Sequence, residues 1–144
     1  MKVINRKARF DYEMGERVEA GIVLTGPEVK SAKNGQVDLG NSFCKIIPDK
    51  FGSREVWVFN LVIQPYKHAD NTNYDPGHKR KLLLHQKEIV ALESKMRQAR
   101  LLLVPSAIYT REAMVKIELA LARGKRKYEK RETIKKRDAE REMG

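Results

Sequence analysis

A chain of 144 residues with 41% hydrophobic side chains has room for one modest core and a tail. Lys and Arg number 30 against 19 acids, a formal net charge of +11, which favours polyanionic partners with nucleic acid first among them. No apolar run approaches the ~20 residues of a membrane span, the start Met1-Lys2-Val3-Ile4-Asn5 turns polar too early for a secretory signal, and Cys44 alone cannot form an internal disulfide. Secreted, membrane-spanning and disulfide-stapled classes are set aside, and a reducing, cytoplasmic setting is expected.

Residues 5–12 have the makings of a short helix. Val18, Ala20, Ile22 and Leu24 then alternate with Glu19, Gly21 and Val23, the pattern of a half-buried strand. Gly26-Pro27-Glu28 places a proline and an acid in a first helical turn, and Asn34-Gly35 ends that helix. Phe43 to Ile47 reads as a strand stopped by Pro48-Asp49. Glu55 to Phe59 reads as the next, with Leu61-Val62-Ile63 continuing it as far as Pro65. A longer helix is expected to open with Asp75 as cap and Pro76 after it, its apolar stripe made by Leu82, Ile89, Leu92 and Met96. Leu101 to Tyr109 is a strand in which Pro105 implies an edge or a bulge. The clearest alternation comes last, with Val115, Ile117, Leu119 and Leu121 on one face.

Residues 123–144 hold ten Lys and Arg against five acids. Their apolar members, Tyr128, Ile134, Ala139 and Met143, share no helical face, so this stretch is expected to be a mobile arm when free. The expected division is therefore a body over 1–123 and a basic tail over 124–144, disordered when free and helical once an RNA-rich partner neutralises its bases. Short antiparallel strands with about three helices suit a small β-barrel of the oligonucleotide-binding type.

Catalytic patterns are weak. His68, His78 and His85 lack paired-ligand spacing, and a single Cys cannot complete a zinc site, so no metal or other cofactor is expected. Gly124-Lys125-Arg126-Lys127 lacks the spaced glycine of a phosphate loop. Basic clusters weigh more: Asn5-Arg6-Lys7-Ala8-Arg9, Lys79-Arg80-Lys81, and the run from Gly124 to Arg131. Any one is explained by a solvated face, but three, each beside aromatic or apolar groups, suit structured RNA. Trp57 and Phe59 share a strand face and fit either a base-stacking platform or the core, with the core expected.

Several stretches, in order, are similar to those of one family: Asn5-Arg6-Lys7-Ala8-Arg9, Glu19-Ala20-Gly21-Ile22, Glu28-Val29-Lys30-Ser31, Asn60 with Pro65-Tyr66-Lys67, Asn73-Tyr74-Asp75-Pro76, Arg80-Lys81-Leu82-Leu83-Leu84-His85, and Leu119 to Arg131. The chain resembles the small protein B family, bacterial proteins that bind transfer-messenger RNA and rescue stalled ribosomes. The resemblance implies an oligonucleotide-binding barrel without catalytic activity that binds the tRNA-like domain of that RNA. It implies the small ribosomal subunit and its rRNA as partners, and alanyl-tRNA synthetase and elongation factor Tu as indirect ones. Asn5, Glu19 and Leu83 match positions associated with RNA binding. Gly124, Lys125, Arg126, Lys127, Tyr128, Glu129, Lys130 and Arg131, with Lys135, Lys136 and Arg137 beyond, match a tail that acts in the decoding centre and empty messenger channel. A general RNA-binding translation factor of the same fold is the alternative.

Charge favours Arg6, Lys7, Arg9, Lys79, Arg80 and Lys81 for phosphate contact. Asn5 suits a base edge or a helix cap. Glu19 repels phosphate and is better suited to orienting a neighbour, while Leu83 is expected to pack beside its helix stripe. His78 stands where the family usually carries a base, and Arg100 where it usually carries a turn glycine.

Overall fold

The strongest alternating pattern in the sequence becomes the centre of the fold. Strand β9 (Met114–Gly124) pairs on one side with β8 (Leu102–Arg111) and on the other with β2 (Tyr12–Ile22), turning Val115, Ile117, Leu119 and Leu121 inward. This computed structural model describes the backbone of residues 1–125 and 127–143, and their side chains apart from 127–130, 132–133 and 142–143. From β8 the pairing passes to β4 (Phe43–Pro48) through Cys44 and Leu103, then to β5 (Arg54–Phe59), β7 (Arg80–Leu83) and β2. Because β2 meets β9 and β9 meets β8, the antiparallel ladders return to the strand they began from. Strand β1 (Lys2–Ile4) adds to β8, while β3 (Val37–Asp38) and β6 (Val62–Ile63) form a separate pair. The fold is mainly β with several helices.

Helices sit where their caps are written. Asn5 caps α1 (Arg6–Asp11), which covers a small cluster of Ala8, Val104 and Ala122. Thr25 and Glu28 close a reciprocal capping box on α2 (Gly26–Lys33), and Gly35 takes φ +75° just past its end. Ile89 and Leu92 seat α3 (Gln86–Ala99) on the main core.

The structure corrects several expectations. Residues 75–85 are not the start of the long helix: the Asp75 carboxylate accepts from the Gly77 amide in a turn, and Arg80–Leu83 is a strand. The seven-residue interval from Leu82 to Ile89 imitates a helical stripe, but Leu82 reaches the core from β7. Asn60, at φ +59°, breaks the chain between β5 and β6, so 61–63 does not extend β5. Trp57 and Phe59 are not in the core, because Val56 and Val58 take the inward positions of β5. Strands β1 and β3 are too short to carry a periodic signal. The basic segment carries helix α4 (Lys127–Met143), the form expected of it on the ribosome, rich in good helix formers, with the Arg137 guanidinium 5.3 Å from the Phe10 ring centroid.

Two expectations are met in detail. Pro105 sits at a register shift in the β8–β9 ladder, and Arg100 ends α3 in the left-handed conformation at φ +54°, ψ +48°. A non-glycine residue there costs roughly 1–2 kcal/mol. Arg100→Gly should therefore raise stability by about 1 kcal/mol, or roughly 2–4 °C in Tm, whereas Arg100→Ala should not; thermal unfolding of the two variants checks this.

Candidate nucleic-acid interface

Strand alternation brings Glu19 and Leu83 together although they lie far apart in sequence. Gly21 pairs with Leu83 across β2 and β7, which puts Leu83 and Glu19 on the same outward face. They line a shallow groove of about 370 Å³ with His85, Glu88, Met114 and Lys116. Gly21 keeps its floor open: a Cβ there would stand 3.2 Å from the Leu83 Cβ. Leu83 is not beside a helix stripe; its side chain projects from β7 with 54% exposure. An apolar group so displayed contributes little to folding and is available to a ligand.

The groove wall is set by hydrogen bonds. Tyr109 donates its hydroxyl proton to Glu19, and Arg111 Nη1 donates to the same oxygen at 3.1 Å. The Tyr109 hydroxyl and Arg111 hold the Glu19 carboxyl below its ordinary range, against the partial desolvation of the site. Burial and the neighbouring Glu19 push the Tyr109 hydroxyl up to about 12, so it remains a donor at neutral pH. Glu19 thus orients a cation, the role its charge suggests. Next to it Glu118 accepts from Arg17 at 3.2 Å and from the Ser106 hydroxyl at 2.6 Å. Tyr109, Arg111 and Lys116 escape a reading of linear motifs. The signal that finds them is the β8–β9 register, which opposes Tyr109 to Lys116 and Arg111 to Met114.

Two of the expected contact residues lie inside. Asn5 is 2% exposed: its side-chain Oδ1 accepts from the Ala8 amide, and its Nδ2 donates to the Leu39 and Pro105 carbonyls at 3.1 and 2.8 Å. It is a cap and a buried anchor, not a reader of base edges. Arg80 is 1% exposed, and every one of its N–H groups is engaged. Nε donates to Glu28 at 2.7 Å, Nη1 to the carbonyls of Leu61 and His78, and Nη2 to the Tyr74 hydroxyl and the Pro76 carbonyl. No donor is left for phosphate. His78, its side chain 40% exposed, turns one ring nitrogen to the same cluster, Nε2 lying 3.0 Å from Glu28.

Most of the remaining described bases are exposed. Arg6 and Lys7 are exposed on α1, with Lys7 donating to the Asn41 amide oxygen at 2.6 Å; Arg9 is half-buried. Lys79 lies 4.9 Å over the Trp57 ring, and Lys81 pairs with Glu55 at 3.3 Å. Gly124 ends β9, and Lys125 is tied to α1, its amide donating to Asp11 and its Nζ to the Arg9 carbonyl. Arg131, Lys135, Lys136 and Arg137 are exposed on α4. Arg126, and the side chains of Lys127, Tyr128, Glu129 and Lys130, lie outside the described residues. Among the described residues no group of three or more His, Cys, Asp or Glu is placed to hold a metal ion. Burial raises the Cys44 thiol well above its ordinary value and leaves it a small core side chain.

The buried pair yields a test. Burial works against ionised Glu28, but the Thr25 amide, the Arg80 guanidinium and His78 outweigh it and hold the carboxyl below its usual range. A depressed carboxyl contributes stability above its unfolded value, and that contribution is lost as pH falls through the folded one. Glu28→Gln leaves Arg80 buried and uncompensated, so it should cost about 3–5 kcal/mol at neutral pH. The gap to the parent should narrow below about pH 4. Urea unfolding across pH measures both.

A family model described as "SmpB protein" matches residues 2–144 of the chain. An SsrA-binding protein of Desulfitobacterium hafniense is 46% identical over 145 residues, covering 99% of this chain and 90% of that protein. Others are 48% identical, from Halothermothrix orenii with the same coverages, and from Mycolicibacterium paratuberculosis with 96% of this chain and 79% of that protein covered. A chain of the solved structure described as "tmRNA-SmpB: a journey to the center of the bacterial ribosome" superposes with a TM-score of 0.69 at 44% identity, covering 92% of this chain and 94% of its own length.

Proposed function

We propose that this chain, which belongs to the SmpB protein family, binds the tRNA-like domain of transfer-messenger RNA and carries it to stalled ribosomes for trans-translation. The observation that carries this reading is the meeting of Glu19 and Leu83 in one groove flanked by Arg111 and Lys116. Leu83 gives an apolar contact for a ribose or base edge, and Glu19 holds Arg111 toward phosphate. Arg6, Lys7, Arg9, Lys79 and Lys81 supply phosphate contacts around it, which position an RNA without reading its sequence. Asn5 and Arg80 act on binding through the elements they anchor. The returning ring of ladders is a small barrel of the oligonucleotide-binding type, and the role is one of binding in the cytoplasm rather than catalysis. Alanyl-tRNA synthetase and elongation factor Tu act on the same RNA and are indirect partners.

The basic segment 124–144 is the ribosomal part, working against small-subunit rRNA in the decoding centre and vacant messenger channel. Alone, α4 has little to hold it: it lacks an apolar stripe, and its spaced ion pairs contribute only a few tenths of a kcal/mol each. We take it to be disordered in much of the free population and to settle as a helix when rRNA neutralises Lys135, Lys136 and Arg137. In this reading Tyr128, near the tail's start, stacks on an rRNA base.

Gel shifts with the isolated tRNA-like domain test the first part. Leu83→Asp should weaken binding about tenfold or more with little change in Tm, and removal of residues 124–144 should leave most of the affinity. Binding should fall with salt, about 0.7–0.9 log units per phosphate contacted per log unit of salt. Unchanged binding by Leu83→Asp would remove the groove from the interface. For the tail, Ile134→Pro breaks a helix at ~3 kcal/mol without altering charge. It should spare binding to the RNA and abolish peptide tagging on stalled ribosomes, whereas normal tagging would mean that the arm works as a flexible polycation.

A further inference from the structure

The outward face of the β4–β5 hairpin carries three aromatic rings that the groove does not use. Phe43 opposes Phe59 and their rings stack, with centroids 5.4 Å apart and planes inclined by 11°. Trp57 follows on the same face of β5, opposed by Lys45 on β4 and Lys81 on β7. All three rings are partly exposed. Lys45 Nζ stands 5.7 Å from the centroids of both Phe43 and Phe59, and Lys79 Nζ 4.9 Å from that of Trp57. Lys81 is held by Glu55, whereas Lys45 and Lys79 contact neutral rings and have no acidic partner among the described residues.

We propose that this face is a second RNA-docking surface, which takes unpaired bases of a single-stranded segment on Trp57 and on the Phe43–Phe59 pair, with Lys45 and Lys79 on the flanking phosphates. The chemistry selects the partner. Bases in a duplex have their faces covered by neighbouring bases, so only unpaired ones can lie on a protein ring. A protein interface core is depleted in lysine, and a lipid surface would not favour Glu55 among the rings. Trp57 and Phe59 are two residues apart in a strand, about 6.8 Å along it, so each can take its own base of an extended strand. The lysines over the rings do not block this. A base stacks on an aromatic ring more strongly than a solvated ammonium sits on one, and a lysine displaced from a ring lies within reach of the phosphate beside that base.

Trp57 is the only tryptophan in the chain, so its fluorescence reports on this face alone. The full-length protein titrated with a short oligoadenylate should show saturable quenching, and polyphosphate matched in charge should not. Lys45→Glu, on an exposed side chain, should weaken the oligoadenylate about tenfold or more, as should Phe59→Leu. Their affinity for the tRNA-like domain should stay within about twofold, since neither Lys45 nor Phe59 lines the groove. Oligoadenylate that binds by anisotropy without quenching, or equal quenching by polyphosphate, would overturn the proposal. So would quenching by polyglutamate alone, which would mark a docking site for an acidic protein. Leu83→Asp separates the two surfaces: it should keep the quenching even if the groove reading fails.

Discussion

The rest of the outer surface depends on one buried ion pair. Glu28 on α2 and Arg80 on β7 meet 2.6 Å apart with almost no solvent access, far from each other in sequence. Through Arg80 the same contact gathers the carbonyls of Leu61, Pro76 and His78 and the hydroxyl of Tyr74, fixing the long connection between β6 and β7 to the sheet. Tyr74 closes the cluster from the other side by donating to the Ile63 carbonyl at 2.8 Å. A buried pair is weak evidence of net stabilisation, because desolvation of both ions opposes their attraction. Its role here is positional. Every donor is satisfied, so only one arrangement of β7 is compatible with it, and β7 carries Lys81 and Leu83 to the outside, with Lys79 exposed just before it.

Acids elsewhere in the chain also set positions more than they add stability. Arg17 with Glu118, Lys81 with Glu55, Lys95 with Glu16 and Arg111 with Glu19 are solvent-exposed to varying degrees, and such pairs are worth about 0–1 kcal/mol. Each holds a cation at a defined place on the surface. Lys7, Lys45 and Lys79 differ in having neutral partners: the Asn41 amide and aromatic rings. A phosphate approaching these three meets an undiminished charge, so the net +11 acts unevenly over the surface.

Legibility in the sequence followed the range of the interactions involved. Strand β9 and the capped helix α2 were readable because alternation and capping are local: Val115 to Leu121 and Thr25 to Glu28 contain their own instructions. The stretch 75–85 was misread because Leu82 stands one heptad before Ile89, and nothing nearby says that β5 and β2 leave a place for a strand between them. Asn5 was expected to contact RNA from its family position, with a helix cap as the alternative, and Arg80 from its charge. Their burial is decided by partners as remote as Pro105 and Glu28, which no local pattern reports. Glu19 was assigned the right kind of work because an anion beside a polyanion's site has few other uses, but Tyr109 and Arg111 needed the hairpin register to be found.

Asn5 and Arg80 also share a design. Each lies in a basic cluster, and each is the member turned inward. In β7, alternation alone sends Lys81 to the side opposite Arg80, and Lys79 stands exposed just before the strand, so anchoring the one displays the others. At α1, Asn5 bonds to the carbonyls of Leu39 and Pro105 and caps the helix, and its position fixes the direction in which Arg6 and Lys7 leave the body. A polar side chain with all its bonds satisfied internally is a better anchor for this purpose than an apolar one, because its bonds specify orientation as well as depth. The same logic explains why charge is concentrated around these two residues: the inward member sets the geometry, and its sequence neighbours, facing solvent, supply the field that an RNA backbone meets.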